Sequence, residues 1–204
     1  MDAHGWDERY RATELLWSVE PNQWVRQHTE DLPPGTALDL ASGEGRNALW
    51  LAGLGWHVTA VDFSAVAVEK AKTLASRSTL DVGDRIQWIV DDVVTYVPPD
   101  QFDLVLVVYL QVAAAQRTAV LRTAAAALAP GGRLLVVGHH TDNLQHGIGG
   151  PQDPAVLYTE DDIRTDLDAL PGLTFPIAQR VERWVAGEST PALDVLVEAL
   201  RADA

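Results

Sequence analysis

ALDLASGEGRNALWLAGLGWHVTAVDF, residues 37–63, runs from an apolar stretch through a glycine turn and a helix-like segment to a second apolar stretch that ends on an acid. Residues 37–41 are apolar apart from Asp39, the pattern of a strand buried on both faces. Gly43 and Gly45 let the backbone turn tightly and approach a ligand, and a helix is expected to begin near Arg46. Asp62 follows Gly43 by about 20 residues, the spacing at which an acid ending a second strand reaches the hydroxyls of a ribose. The segment reads as half of a nucleotide-binding fold, and its expected ligand contains adenosine.

Gly43-Glu44-Gly45-Arg46-Asn47-Ala48 also fits the dinucleotide fingerprint, so the glycines alone leave a nicotinamide cofactor and S-adenosylmethionine both open. The neighbouring charges separate the two. A pyrophosphate seeks bare amides at a helix N-terminus, whereas Glu44 inside the turn and Asp39 before it put negative charge where phosphates would lie. S-adenosylmethionine instead brings an ammonium for Asp39 to attract, and a carboxylate for Arg46 and the amides around Asn47 to meet.

Outward from this segment, strand and helix signals alternate. Ser64 is placed to cap a helix to about residue 76, residues 86–90 predict a third strand, and residues 102–108 (FDLVLVV) a fourth. Residues 116–128 predict a helix that Pro130-Gly131-Gly132 stops, and residues 133–138 (RLLVVG) a fifth strand. Such alternation predicts a parallel sheet with helices on both faces. Residues 139–154 are rich in Gly, Asn and Pro and predict an irregular segment, after which Thr159 opens a capped helix. Residues 174–185 and 192–200 are two further strand candidates with too little chain between them for a crossover helix, so an antiparallel pair is expected, although 192–200 also suits a helix. The first 33 residues predict one or two amphipathic helices ahead of the sheet.

The expected fold class is therefore α/β, a doubly wound, mostly parallel, seven-stranded Rossmann-like sheet with a C-terminal antiparallel strand pair and an N-terminal helical lid. One domain, 1–204, is expected, divided into a helical cap (1–34), a cofactor-binding core (35–138) and a substrate loop with the C-terminal strands (139–204), since 204 residues suit one core. The chain has no cysteine, which excludes disulfides, thiolate metal sites and cysteine nucleophiles. A formal net charge of −14 with only 15 Lys and Arg disfavours nucleic acid and anionic membrane as partners and favours a neutral or cationic small molecule. The charged start MDAHGWDERY is unlike a signal peptide, and a cytoplasmic location is expected.

Ligands of a doubly wound sheet bind beyond the C-terminal ends of its strands. Asp92 with the amide of Val93 offers an acceptor and a donor to adenine, and Phe63 offers a ring face; Asp91-Asp92 equally suits a plain turn. Tyr109 and Gln111 follow the fourth strand, and His139 and His140 the fifth. Here WDERY (6–10), LDLASGEGRNALWLA (38–52), GWHVTAVDFS (55–64), FDLVLVVYLQV (102–112), LAPGG (128–132) and GGPQDPAVLYT (149–159) together resemble the class I S-adenosylmethionine-dependent methyltransferases, and within them the small tellurite-resistance-type enzymes. The resemblance implies that Ala41, Gly43 and Gly45 form the loop under the methionine part, with Asp39 at the amino group and Arg46 and Asn47 at the carboxylate. It also implies Asp62 on the ribose, Asp92 and Val93 on the adenine, and Tyr109 on the path from donor to acceptor. Ala41 stands where many relatives have glycine, and Gln111 where relatives often have histidine.

Methyl transfer needs the nucleophile held in line, and a hydroxyl acceptor also needs a base. His139 and His140 are the candidate bases, with Gln111 orienting the substrate, although adjacent side chains after a strand point opposite ways. A hydroxylated metabolite such as a sugar or phenol is the expected acceptor; a chalcogen oxyanion, an NAD-dependent oxidoreductase and a non-catalytic binding protein are the alternatives. His139, His140, Asp142 and His146 lack metal-site spacing, and no metal is expected. Trp17 and Trp24 are read as packing residues, and Trp6, Tyr10 and His146 as lid or substrate residues with Gly147, Gly149 and Gly150. His4, His28 and His57 are read as surface or structural. A homodimer is an option, seamed at Glu182 and Arg183.

Overall fold

The computed structural model describes residues 3–13, 15, 18–79 and 82–203; Trp17 lies outside the described residues. The strands run β3-β2-β1-β4-β5-β7-β6 through one seven-stranded mixed sheet, and the chain forms two compact units, Met1–Tyr96 and Val97–Ala204.

In the first unit, β1 (Thr36–Leu40), β2 (His57–Asp62) and β3 (Ile86–Val90) are parallel, with Asp39 level with Ala60 and Asp62 level with Val90. β1 is buried from Ala37 onward, as its unbroken apolar run requires. Between the strands lie α3 (Arg46–Gly53), which buries Ala48, Leu49, Leu51 and Ala52, and α4 (Ala65–Arg77), whose first turn is capped by Ser64 accepting from the Ala67 amide. Ahead of the sheet are α1 (Ala3–Arg11) and α2 (Gln23–Thr29). Asn22 caps α2 through the amides of Trp24 and Val25, and the half-buried Trp24 lies in its first turn.

In the second unit, β4 (Phe102–Val108) and β5 (Leu128–His139) are parallel, while β7 (Ala192–Arg201) is antiparallel to both β5 and β6 (Leu173–Arg183). β7 is a strand and not a helix because all its residues from Ala192 to Ala199 are buried, which a sheet interior demands. α5 (Ala114–Ala126) is clasped to α7 (Glu160–Leu167) by Arg117 Nε on Asp166 Oδ2 at 2.6 Å, and α7 starts with a capping box of Thr159 and Asp162.

Two expectations are corrected here. Pro130-Gly131-Gly132 does not stop α5, which ends at Ala126; it lies inside β5, in a bulge between the Phe102–Leu128 and Leu104–Arg133 pairs. Nor is 139–154 irregular throughout: α6 (Asn143–His146) and a 3-10 turn (Pro154–Val156) form within and just after it. Asn143 explains the order there, its side chain donating to the Gly149 carbonyl at 2.8 Å and accepting from the Leu193 amide at 2.7 Å.

Candidate active site

The glycine turn follows β1 directly. Ala41 has φ +60° and Gly43 φ +57°, and Gly45, at φ +79°, precedes the first residue of α3. A Cβ on Gly45 would stand 2.5 Å from Trp88 Cη2, so this glycine is required by the tryptophan on β3 as well as by its backbone conformation. Ala41 holds the left-handed conformation without that freedom, a local strain at the loop where glycine is usual.

Asp39 and Asp62 sit at the base of the turn. Asp39 is 1% exposed, and its Oδ2 is buried with no hydrogen-bond partner. Burial, reinforced by the nearby charge of Asp62 and opposed by Arg46 and an amide hydrogen bond from Ala48, pushes its carboxyl up to about 7. Asp62 accepts from the Gly43 amide at 2.8 Å and the Ser64 amide at 2.9 Å, bracing the turn against β2; burial raises its carboxyl too, against those two hydrogen bonds. One lone pair on each Asp62 oxygen is thereby used, which leaves the others for ribose hydroxyls.

The remaining expected cofactor residues divide. Arg46 starts α3 at the turn, and Phe63, half-buried, follows Asp62. The side-chain oxygen of Asn47 accepts from the Asn22 amide at 2.9 Å, and its backbone amide, the group expected at a carboxylate, stands in the first turn of α3. Asp92 is exposed, accepts from the Val94 amide at 3.0 Å and opens a turn to Thr95 and Tyr96, while Val93 is buried. Asp92 is thus a turn residue, and a turn aspartate retains lone pairs for a further donor.

The charge of Glu44 requires a correction. It is buried and paired with Lys70 Nζ at 3.1 Å, so it does not add net negative charge to the turn, and the discrimination against a pyrophosphate rests on Asp39. Lys70 Nζ also donates to the carbonyls of Tyr10 at 2.5 Å and Thr13 at 2.7 Å, and Ser64 Oγ donates to Asp7 at 2.5 Å. α1 is therefore tied to α4 at two points. Trp6 and Tyr10 stack at 5.6 Å on this helix, Trp6 half-buried and Tyr10 fully packed.

The second unit carries its own polar cluster at the ends of β4 and β5. Tyr109, at φ +55°, donates to Asp194 Oδ2 at 2.7 Å and accepts from Arg183 Nε at 2.9 Å. The His139 ring lies against Tyr109, centroids 4.8 Å apart, with Nδ1 3.4 Å from Asp194 Oδ1. Asp194, fully buried on β7, would be raised by that burial, yet the facing His139 ring, the charge of Arg183 and the hydrogen bonds from Arg183 and Tyr109 outweigh it and hold its carboxyl below the ordinary value. Burial and the Asp194 charge together push the Tyr109 hydroxyl up, so it stays a phenol.

The three expected catalytic residues differ in how their polar atoms are occupied. His140 points the other way along the strand, its Nδ1 accepting from the Asp142 amide at 3.0 Å and its Nε2 3.4 Å from Glu160; both ring nitrogens are committed to structure. Gln111 donates to the Val156 carbonyl at 2.6 Å and accepts from the His139 amide at 3.0 Å, so its side chain braces the His139 backbone while its amide keeps a second N–H. His146 is exposed at the end of α6. Arg183 turns inward onto Asp194, which removes it from the surface seam expected beside Glu182. Asp194 escaped sequence reading, and Arg183 was read only as a seam residue; the available signal was Asp194 as an acid inside the apolar run of β7, which also carries Glu198. Among the described residues, no three His, Asp or Glu side chains are grouped to hold a metal, and no helix is long and apolar enough to cross a membrane.

Residues 37–132 match the family described as methyltransferase domain. Over 56 residues the chain is 39% identical to Hemagglutinin 1 of Eikenella corrodens, a match covering 28% of this chain and about a fifth, 19%, of that curated relative. Among solved structures, one from a study of the conversion of a disulfide bond into a thioacetal group in echinomycin biosynthesis has a TM-score of 0.75 at 21% identity, covering 98% of this chain and 91% of that one. The N-methyltransferase NodS of Bradyrhizobium japonicum, in complex with S-adenosylhomocysteine, gives 0.70 at 17% over 98% and 99%. TehB of Haemophilus influenzae gives 0.69 at 16% over 90% and 63%. At these identities the likeness is one of fold. With the glycine turn and the seven-stranded order on the page, residues 37–132 match the methyltransferase-domain family, and the chain carries the fold of the S-adenosylmethionine-dependent methyltransferases it resembles.

Proposed function

We propose that this chain transfers a methyl group from S-adenosylmethionine to a hydroxyl of a small metabolite, a sugar or a phenol. The observation that carries the cofactor half is Asp39 Oδ2, a buried carboxylate oxygen with no partner beside the glycine turn, which suits a cationic ammonium and would repel a phosphate. When bound, the cofactor supplies an electrophilic methyl on a sulfonium. Asp39 would hold the ammonium, Arg46 and the Asn47 amide the carboxylate, Asp62 the ribose, and Asp92 with Val93 the adenine edge, with Phe63 on the ring face.

For the acceptor, His139 is the one candidate base whose ring is not committed to backbone groups, and we read its Nε2 as the atom that takes the hydroxyl proton. The half-buried Trp6 and the ordered Gly147–Gly150 segment are read as covering elements that exclude water. The test is formation of S-adenosylhomocysteine and an O-methylated product across a panel of sugars and phenols. O-methylation supports the reading; turnover confined to amines, or to tellurite and selenite, overturns the hydroxyl assignment.

A further inference from the structure

Asp194 and His139 are 55 positions apart in sequence, yet the β5–β7 register sets them directly opposite each other. The ring of His139 is fixed on several sides. Tyr109 stacks on it, Gln111 holds its backbone amide, and Gly150 packs so closely that an added Cβ would lie 2.9 Å from ring atoms. Its Nδ1 edge meets Asp194 Oδ1 at 3.4 Å, and both atoms are buried. The other carboxylate oxygen, Oδ2, accepts from Tyr109 at 2.7 Å and from Arg183 Nε at 2.8 Å. The direction of the Tyr109 proton follows from these donors. Arg183 Nε is only a donor, and it donates to the Tyr109 oxygen as well, so the Tyr109 proton must point to Asp194.

We propose that Asp194 is the positioning residue of the reaction: anchored by Tyr109 and Arg183, it accepts the Nδ1 proton of His139 and so leaves Nε2, on the opposite edge of the ring, unprotonated to receive the acceptor's proton. This rests on the reading of His139 as base. Groups facing the ring come from three strands: Tyr109 after β4, Asp194 on β7, and Arg183 at the end of β6 behind them both. The neighbouring His140 supplies an internal contrast, because its Nδ1 accepts a backbone amide and its proton must lie on Nε2.

Asp194→Asn is a discriminating change. The position of Oδ2 receives two donors, so the amide oxygen must stay there, which turns the amide nitrogen toward His139 Nδ1. That nitrogen then has to accept, and the imidazole proton moves to Nε2, where it blocks the base.

The experiment is long-range proton–nitrogen correlation spectroscopy of full-length protein labelled with nitrogen-15 histidine, with His139→Gln for assignment. Neutral His139 is expected as the Nδ1–H tautomer and His140 as Nε2–H, with His139 moving to Nε2–H in Asp194→Asn but not in Tyr109→Phe. With a hydroxyl acceptor, kcat of Asp194→Asn falls about 100-fold or more while S-adenosylhomocysteine binding is unchanged. An Nε2–H tautomer for His139 in the wild type, or an unmoved Nδ1–H in Asp194→Asn, overturns the proposal; should the variant fail to fold, the wild type and Tyr109→Phe decide it. A wild-type protein that binds no S-adenosylhomocysteine in calorimetry fails the functional reading instead, which the tautomer result does not touch.

Discussion

Glu44 Oε1 and Lys70 Nζ lie 3.1 Å apart, joining the glycine turn to α4, and the same ammonium holds the carbonyls of Tyr10 and Thr13 at the end of α1. The N-terminal helix and the glycine turn thus share one half-buried cation, and on the Glu44 side the pair is buried.

Lys70→Met removes three charge-assisted hydrogen bonds, one of them to the buried Glu44. Amide hydrogen exchange in residues 3–11 should rise toward the unprotected rate while β1 and β2 keep their protection, and S-adenosylhomocysteine should bind about tenfold more weakly. Unchanged protection of α1 would show that Ser64 and Asp7 suffice to hold it.

Asp39 predicts a pH dependence with a defined sign. Its carboxyl is at about 7 in the folded chain against 3.8 unfolded, so the folded state binds more protons between those values. Stability from this group is full below the unfolded value and is lost as pH rises through about 7, up to about 4 kcal/mol in total. Asp39→Asn should flatten this part of the profile in urea titrations and weaken cofactor binding. Because an ammonium favours the ionised carboxylate, binding near pH 6 should release a proton, visible as a dependence of calorimetric heat on the buffer's ionisation enthalpy.

Ala41 at φ +60° carries a strain that glycine would not. Ala41→Gly should stabilise the protein by about 1 kcal/mol in denaturant titration, the relief of the left-handed conformation exceeding the added chain entropy. A loss of stability would mean that the methyl group packs more favourably than the backbone is strained.

Gly45→Ala should have the opposite effect, costing about 2–4 kcal/mol, since the new Cβ meets Trp88 Cη2 at 2.5 Å in a left-handed backbone. In a Trp88→Leu background the cost should fall to the backbone part, about 1–2 kcal/mol, a coupling measurable as a double-mutant cycle.

The first half of the site was legible because its signals are local. The apolar run to Leu40, the glycines, the Ser64 cap and the acid at Asp62 lie within one stretch, and the observed β2, β3 and β4 end where periodicity and turn residues said they would. What failed to show depends on partners distant in sequence. Glu44 looked like free negative charge because Lys70 lies 26 positions away, and the bond from Gln111 to the Val156 carbonyl was hidden because the two lie 45 positions apart. Asp194 is 85 positions from Tyr109, and only the antiparallel register of β7 brings it there. His139 and His140 were indistinguishable in sequence; the strand's alternation separates them, turning one toward Asp194 and the other toward Glu160.

The measurement that bears most directly on the central claim is calorimetric titration of the purified protein with S-adenosylhomocysteine, with NAD as the parallel ligand. Micromolar binding of S-adenosylhomocysteine, lost in Asp39→Asn, and no binding of NAD is the predicted result. Binding of NAD without S-adenosylhomocysteine would contradict the account and make Asp62 the ribose ligand of a dehydrogenase.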